Sequence, residues 1–84
     1  MHQTHSTIVL GDKDNVAIAL RAILTGDLIN ELDLSARTDI PKGHKVAKRA
    51  IPCGEAVFKY GQIIGRSTTD ISAGEHVHTH NIEF

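Results

Sequence analysis

The sequence predicts a small, mostly β domain with many turns and one short helix. Three observations carry this prediction. A pattern of apolar-x-x-Gly-x-x-apolar occurs four times, the segments between its copies alternate in the manner of strands, and 84 residues are too few to divide between two cores. We therefore expect residues 1–84 to form a single domain.

Each copy of the pattern is expected to form a turn between two extended segments. Gly supplies the positive φ that a residue with a Cβ resists, and Pro, present in two copies, presets φ for the first corner. The copies begin 17, 11 and 20 residues apart, which is too uneven for a stacked solenoid. They span 23–29, 40–46, 51–57 and 71–77, with Gly26, Gly43, Gly54 and Gly74 as the turn glycines.

Residues 14–22 depart from the strand pattern. Asp14 or Asn15 can cap a helix, and Val16, Leu20 and Ile23 follow at helical spacing. We expect a short helix of about two turns that ends before the first turn glycine.

Composition excludes several classes of function. The net charge is −1 and the Lys and Arg residues are scattered, which argues against nucleic acid or an anionic membrane as the main partner. There is no long apolar run and no signal-peptide pattern. Cys53 is the only cysteine and fits a reducing cytosol, so we expect a cytoplasmic protein. His2 and His5 are expected to lie in a frayed terminus.

Five short motifs follow one another along the chain: Asp14–Ala17, Asp39–Lys45, Lys59–Gly61, Ile64–Gly65 and Gly74–Asn81. In this order they resemble the SAF (β-clip) domain of the altronate and galactarate dehydratase family, which includes the small subunit of sulfolactate sulfo-lyase. The resemblance covers nearly the whole chain, and the closing octapeptide with the Gly-His-Lys turn is its most specific part.

The resemblance implies a β-clip fold and a role as the small subunit, or N-terminal domain, of a sugar-acid dehydratase, a hydro-lyase. Such enzymes usually continue for several hundred residues into a large catalytic domain, so a large catalytic chain and a sugar-acid substrate are the implied partners, and the isolated chain is expected to be inactive. The motif Asp14–Ala17 favours a sugar acid over sulfolactate. Exposed strand edges also invite a homo-oligomer.

The resemblance further implies a divalent metal, Fe(II) or Mn(II), and the closing segment offers His76, His78 and His80 as ligands. In a straight strand these side chains share one face, with neighbours about 7 Å apart and the outer pair about 13 Å apart at Cα. Such a strand supplies at most two ligands to one ion, and His44 is the candidate for a third. Hydrogen bonding, solvent exposure or a subunit interface would also account for these histidines.

Five residues are candidates for contacts with the sugar acid, and the sequence identifies no catalytic residue. The lysines could pair with a carboxylate or be solvated, the tyrosine could be a core residue, and the asparagine could anchor substrate or cap the strand end. The five are His44, Lys45, Lys59, Tyr60 and Asn81. An alternative function is a non-catalytic module that binds a sugar acid or a protein, which fold alone does not exclude.

Overall fold

The chain folds into short antiparallel strands joined by tight turns. The computed structural model describes residues 6–84, so His2 and His5 lie outside the described residues. Within this part the strands are β1 (Thr7–Ile8), β2 (Val16–Ala19), β3 (Leu28–Ile29), β4 (Leu34–Ser35), β5 (Lys45–Ala47), β6 (Ala56–Lys59), β7 (Gln62–Ser67), β8 (His76–Val77) and β9 (Ile82–Glu83). A 3-10 helix, Asn30–Leu32, joins β3 to β4. The prediction of a mostly β domain is confirmed.

The described strands form three small sheets. One sheet has the order β1-β2-β5-β8, a second has the order β6-β7-β9, and β3 pairs with β4 alone. Every pairing is antiparallel. No helix in residues 6–84 is long and apolar enough to cross a membrane.

The predicted helix at residues 14–22 is wrong, because Val16–Ala19 forms β2 in the middle of the largest sheet. Val16 and Ala17 are both buried although they point to opposite faces, and each belongs to a different core cluster. A strand buried on both faces reads as a continuous apolar run, which periodicity cannot distinguish from a helical stripe.

Asn15 does not cap a helix but holds the β6–β7 hairpin against β2. Its Nδ2 donates to the carbonyl of Ala56 at 2.9 Å, and its Oδ1 accepts from the N–H of Phe58 at 2.8 Å. The side-chain amide of Asn15 thus makes the backbone hydrogen bonds to Ala56 and Phe58 that a neighbouring strand would otherwise make to β6.

Asp14 holds the tip of the same hairpin. Its carboxylate accepts from the N–H groups of Tyr60 and Gly61 at 2.9 and 2.8 Å. Both of these residues have positive φ, 58° and 71°, as a two-residue type I′ hairpin requires. Burial tends to raise the pKa of Asp14, but the surrounding backbone N–H groups lower it overall.

The four predicted turn glycines are confirmed. Gly26, Gly43, Gly54 and Gly74 all have positive φ, between 83° and 91°. In each copy the N–H of the residue after Gly donates to the carbonyl three residues earlier. The carbonyls of Pro41 and Pro52 accept these bonds, so each proline is the first residue of its turn. The sequence had predicted the prolines one position later, at the first corner.

Each turn also forms the same bulge against a neighbouring residue. The N–H of Gly43 donates to the carbonyl of Ala19, whose own N–H donates to the carbonyl of His44. Gly43 and His44 therefore lie opposite the single residue Ala19, with Gly43 in the left-handed region, as in a G1 bulge. The residues that face the other three turns in this way are Ala36, Ser67 and Ala47.

The four copies are arranged as two pairs. Ile23 pairs with Ile40 and Ile51 with Ile71, each through an isolated antiparallel bridge. A carboxylate supports each pair: Asp39 Oδ1 accepts from Thr25 at 2.8 Å, and Asp70 Oδ1 accepts from Cys53 at 2.8 Å. These aspartates therefore link one turn to another, 14 and 17 residues away in sequence.

The core consists of two clusters of aliphatic side chains on opposite faces of the β2–β5 pair. Each strand contributes to both clusters, since Val16 and Ala47 belong to one and Ala17 and Val46 to the other. Ile51, Val57, Ile71, Val77 and Ile82 complete the first cluster, and Ala19, Ile23, Ile29, Ala36 and Ile40 complete the second.

Candidate imidazole site

Four histidines gather where the second turn meets β8, and we call them the imidazole cluster: His44, His76, His78 and His80. The ring centroid of His44 lies 5.1 Å from that of His76 and 4.4 Å from that of His78. The rings of His76 and His78 are stacked at 5.5 Å, and His80 lies 5.2 Å from His76. Nδ1 of His44 is 2.9 Å from Nε2 of His76, which is hydrogen-bonding distance.

His44 is available to the cluster because of the proline that opens its turn. At the equivalent position of the first turn, the Asp27 carboxylate accepts from the N–H of Leu24 at 3.0 Å, and Glu75 plays the same part in the fourth turn. Pro41 has no N–H to donate. The side chain after Gly in the second turn therefore has no such bond to make, and His44 reaches across to β8.

The strand pairing brings β8 beside this turn. Lys45, the first residue of β5, lies opposite Val77, the last residue of β8, so the turn before β5 and the end of β8 are neighbours. The N–H of His76 donates to Oγ1 of Thr38 at 2.9 Å. This role of Thr38 was not predicted from the sequence. The sequence feature that could have indicated it is the Thr-Asp pair that precedes both the second and the fourth turn.

The closing segment is not a straight strand, because β8 ends at Val77 and the chain turns. The carbonyl of His78 accepts from the N–H groups of Asn81 and Ile82, each at 3.1 Å. The bend is what brings the ring of His80 near that of His76 and stacks His78 against both His44 and His76.

Asn81 is buried inside this turn, with 1% of its surface exposed. Its Nδ2 donates to the carbonyl of His76 at 2.8 Å, and its Oδ1 accepts from the N–H of His78 at 2.9 Å. Both polar atoms of the amide therefore bond the backbone. Of the two roles considered for Asn81, these bonds match the strand-end cap.

His76 and His78 favour the neutral imidazole. Burial, the largest cause, together with the neighbouring His80, His44, His78 and Lys45 lowers the pKa of His76 to about 4. Desolvation, followed by His44 and Lys45, also lowers the pKa of His78. At neutral pH both rings therefore carry a lone pair that can bind a metal ion.

Lys45 adjoins the imidazoles, as its effect on the pKa values of His76 and His78 indicates. It is half-buried on β5, and desolvation followed by the charge of Lys59 lowers its own pKa. Tyr60 is 65% exposed in the hairpin turn, with the Lys59 ammonium 6.0 Å from its ring centroid. The structure thus places Lys45 beside the cluster, Lys59 near Lys45, and Tyr60 on the surface, not in the core.

Three members of the cluster fit a metal ion. One ring nitrogen from each of His44, His76 and His78 lies within 4.8 Å of the other two. An imidazole nitrogen binds Zn(II) at about 2.0–2.1 Å, so two ligands of a tetrahedral ion are about 3.3 Å apart, slightly more than the 2.9 Å between the nitrogens of His44 and His76. The converging set thus contains His76 and His78 from the predicted ligands, together with His44, while His80 lies beside it.

Comparison with known proteins identifies the family. Residues 5–84 match the family described as the altronate/galactarate dehydratase SAF domain. The chain belongs to this family. The resemblance seen in the sequence is therefore confirmed.

Relatives of two kinds share this SAF domain. The chain is 41% identical over 78 residues to altronate dehydratase of Bacillus subtilis, and the match covers 90% of this chain but 16% of that protein. It is 48% identical over 52 residues to (2R)-sulfolactate sulfo-lyase subunit alpha of Paracoccus pantotrophus, which covers 62% of this chain and 78% of that subunit. Altronate dehydratase of Escherichia coli is 43% identical over 70 residues, which is 14% of its length. The chain thus spans about a sixth of the dehydratases and about three quarters of the sulfo-lyase subunit.

Proposed function

We propose that this SAF domain is the accessory subunit, or N-terminal domain, of a hydro-lyase that dehydrates a sugar acid. In this proposal His44, His76 and His78 of the imidazole cluster bind a divalent metal at a site shared with a large catalytic chain. Family membership supports the reaction class. The single observation that carries the role of this chain is the convergence of the nitrogens of His44, His76 and His78.

The division of labour follows from the residues available. A bound metal would polarise the leaving hydroxyl or the carboxylate of the acid. His44, His76 and His78 hold the ion, and Lys45, beside them, attracts and orients the anionic substrate. The base that removes the α-proton is assigned to the large chain, because imidazoles that act as ligands have no lone pair left for a proton.

The donor set favours Fe(II) over Mn(II). Imidazole nitrogen suits iron and zinc, whereas manganese prefers carboxylate, carbonyl and water oxygens. The converging set consists of imidazoles alone. Binding of Mn(II) would therefore need oxygen ligands from the substrate or from the large chain.

The resemblance of the motif Asp14–Ala17 favours a sugar acid over sulfolactate, and in the fold Asp14 and Asn15 bond the backbone of the β6–β7 hairpin. The preference for a sugar acid is a proposal that the altronate dehydratases among the relatives support, and sulfolactate is the comparison substrate for any assay.

Anaerobic titration of the purified chain with Fe(II), followed by calorimetry, tests the metal site. The variants H44A and H78A each remove one converging nitrogen and are expected to lower the affinity at least about tenfold, since even outer-shell partners are worth 10–100-fold. H80A is the matched control, because it removes a neighbouring imidazole outside the converging set, and it is expected to bind Fe(II) nearly as the unaltered chain does. Equal affinities for all four proteins would contradict the proposal.

Reconstitution tests the enzyme role. The chain is combined with the large dehydratase-type chain that co-purifies with it, and formation of a 2-keto-3-deoxy acid from altronate or galactarate is followed. We expect activity only with both chains present, and less activity with H44A than with H80A. Full activity of the large chain alone would rule out the accessory role.

A second candidate function is an anion-binding module without catalysis. The observation that favours it is that the charge of Lys59 contributes to lowering the pKa of Lys45, since like charges that act on each other form a cationic surface that attracts an anion. Titration of altronate, galactarate and sulfolactate into the metal-free chain separates the two functions. Tight binding of one acid without metal or large chain supports the module.

We also propose a location in the cell and consider how copies of the chain could associate. We assign the protein to the cytoplasm because Cys53 is exposed and forms no disulfide. A homo-oligomer that pairs strand edges would have to displace a side-chain bond at either edge of the four-stranded sheet. The N–H of Thr7 in β1 donates to the Glu31 carboxylate at 2.7 Å, and the N–H of His76 in β8 donates to Oγ1 of Thr38 at 2.9 Å.

A further inference from the structure

The turn that follows β8 is organised by one buried amide. Asn81 has 1% of its surface exposed, and its two side-chain bonds go to the backbone of His76 and His78, which are two of the three converging histidines. Its own backbone N–H donates to the carbonyl of His78, and its carbonyl accepts from Thr68 at 2.9 Å. Asn81 is thus fixed to the body of the domain and to the chain segment that carries the imidazoles.

This turn changes where the imidazoles lie. A straight strand would place the Cα atoms of His76 and His80 about 13 Å apart. In the turned segment the ring centroids of His76 and His80 lie 5.2 Å apart, and the ring of His78, which the strand register brings opposite His44, stacks on it at 4.4 Å. Since His78 leaves the strand direction at the residue that Asn81 bonds, the position of its ring depends on the Asn81 amide.

We infer that Asn81 is a positioning residue for the imidazole cluster, and that it sets the metal affinity without touching the metal. The inference rests on the proposed metal site. An amide is suited to this place because it combines a donor group with an acceptor group, which match the carbonyl of His76 and the N–H of His78. A side chain without that pair leaves buried backbone groups without partners and releases the turn.

The chain contains a matched control for this inference. Asn15 is also fully buried and also bonds one backbone carbonyl and one backbone N–H, those of Ala56 and Phe58 at 2.9 and 2.8 Å. Its bonds go to the β6–β7 hairpin and not to the imidazole-bearing segment. Loss of either amide is expected to destabilise the fold to a similar extent, whereas loss of Asn81 alone is expected to disturb the cluster.

The experiment compares N81A with N15A in the 84-residue chain. Urea unfolding gives the stability of each variant, and anaerobic calorimetry with Fe(II) gives its affinity. We expect both variants to lose stability, N81A to bind Fe(II) about 10–100-fold more weakly, and N15A to bind within about threefold of the unaltered chain. Equal affinities for N81A and N15A would overturn the inference. If N81A does not fold, N81S and N15S, which keep a hydroxyl in place of the amide, take their places.

A second measurement separates this inference from the proposed function. Nuclear Overhauser contacts between the rings of His44 and His78 are recorded in the metal-free chain, where a 4.4 Å centroid distance predicts strong contacts. We expect these contacts to be lost in N81A and kept in N15A. If the unaltered chain binds no Fe(II), the metal site fails, and the ring contacts alone decide the role of Asn81. If the contacts persist in N81A, Asn81 does not position the rings.

Discussion

Replacement of Gly74 by Ala tests how the fourth turn is packed. Gly74 is buried with a φ of +88°, and a Cβ at this position would overlap the carbonyl oxygen of Ser35 and lie 3.4 Å from the nitrogen of Arg37. That nitrogen donates to the carbonyl of Gly74 at 2.9 Å, so the turn and the segment after β4 are held together. Neither backbone can move away without breaking this bond.

Gly54 provides the control, because it has nearly the same φ, +86°, in an equivalent turn with no atom within 4 Å of the added Cβ. G54A is therefore destabilised only by placing a residue with a Cβ in the left-handed conformation, which costs about 1–2 kcal/mol of unfolding free energy. G74A has the same cost and must also displace packed backbone, and overpacking of this kind costs about 1–3 kcal/mol more. We expect a total of about 2–5 kcal/mol, against about 4–13 kcal/mol for the stability of a domain of this size.

Urea unfolding followed by circular dichroism measures both variants. We expect a clearly lower midpoint for G74A than for G54A, or a failure of G74A to fold. If the unfolding free energies of the two variants agree within about 0.5 kcal/mol, the close approach of Gly74 to Ser35 does not exist in solution, and the description of the fourth turn is wrong.

Three further outcomes are expected. D14A loses two charge-assisted hydrogen bonds to the hairpin tip and should be destabilised by about 2–4 kcal/mol in urea unfolding, whereas D12A, at an exposed position, should change stability by less than about 0.5 kcal/mol. His76 has a pKa of about 4, below the ordinary 6.5, so its contribution to stability is complete above pH 6.5 and declines as pH falls towards 4. The full pKa shift corresponds to a decline of at most about 3 kcal/mol, which screening by water around the half-exposed ring reduces to about 1–2 kcal/mol. We expect a smaller decline in H76Q. An unchanged dependence of stability on pH in H76Q would contradict the prediction. I51A removes most of a fully buried side chain and should cost about 2–5 kcal/mol, with I51V costing about 0.5–1.5 kcal/mol; equal stabilities would show that the first core cluster is not packed at this position.

The turns were predictable because their signal is local. A positive φ strongly favours glycine, so Gly26, Gly43, Gly54 and Gly74 report the backbone conformation directly from the sequence. The position of Pro41 was misplaced by one residue, because the pattern does not show which carbonyl closes the turn. That carbonyl is defined only once the bulge against Ala19 has formed.

Two features were not predicted for the same reason: the strand β2, for which a helix was expected, and the turn that follows β8. Both are determined by contacts with residues or burial that the local sequence does not show. Asp14 and Asn15 are helix-capping residues by type, but their bonding partners are 41 to 47 residues away. The bend after β8 depends on the burial of Asn81, which the sequence alone does not show. The position of His44 beside the closing histidines follows from strand pairing, because the turn that holds it precedes β5, which pairs with β8.

The burial of β2 and β5 on both faces has a consequence for motion. Amide protons exchange slowly where opening a segment exposes the most apolar surface, and these strands contribute to both core clusters. Their backbone should therefore be the last to exchange with deuterated solvent, while the exposed hairpin tip at Tyr60 exchanges early. His44 immediately precedes β5, so the ring that reaches towards β8 is anchored to the stiffest part of the domain. Any flexibility needed to admit a ligand would then have to come from the segment that carries His78 and His80.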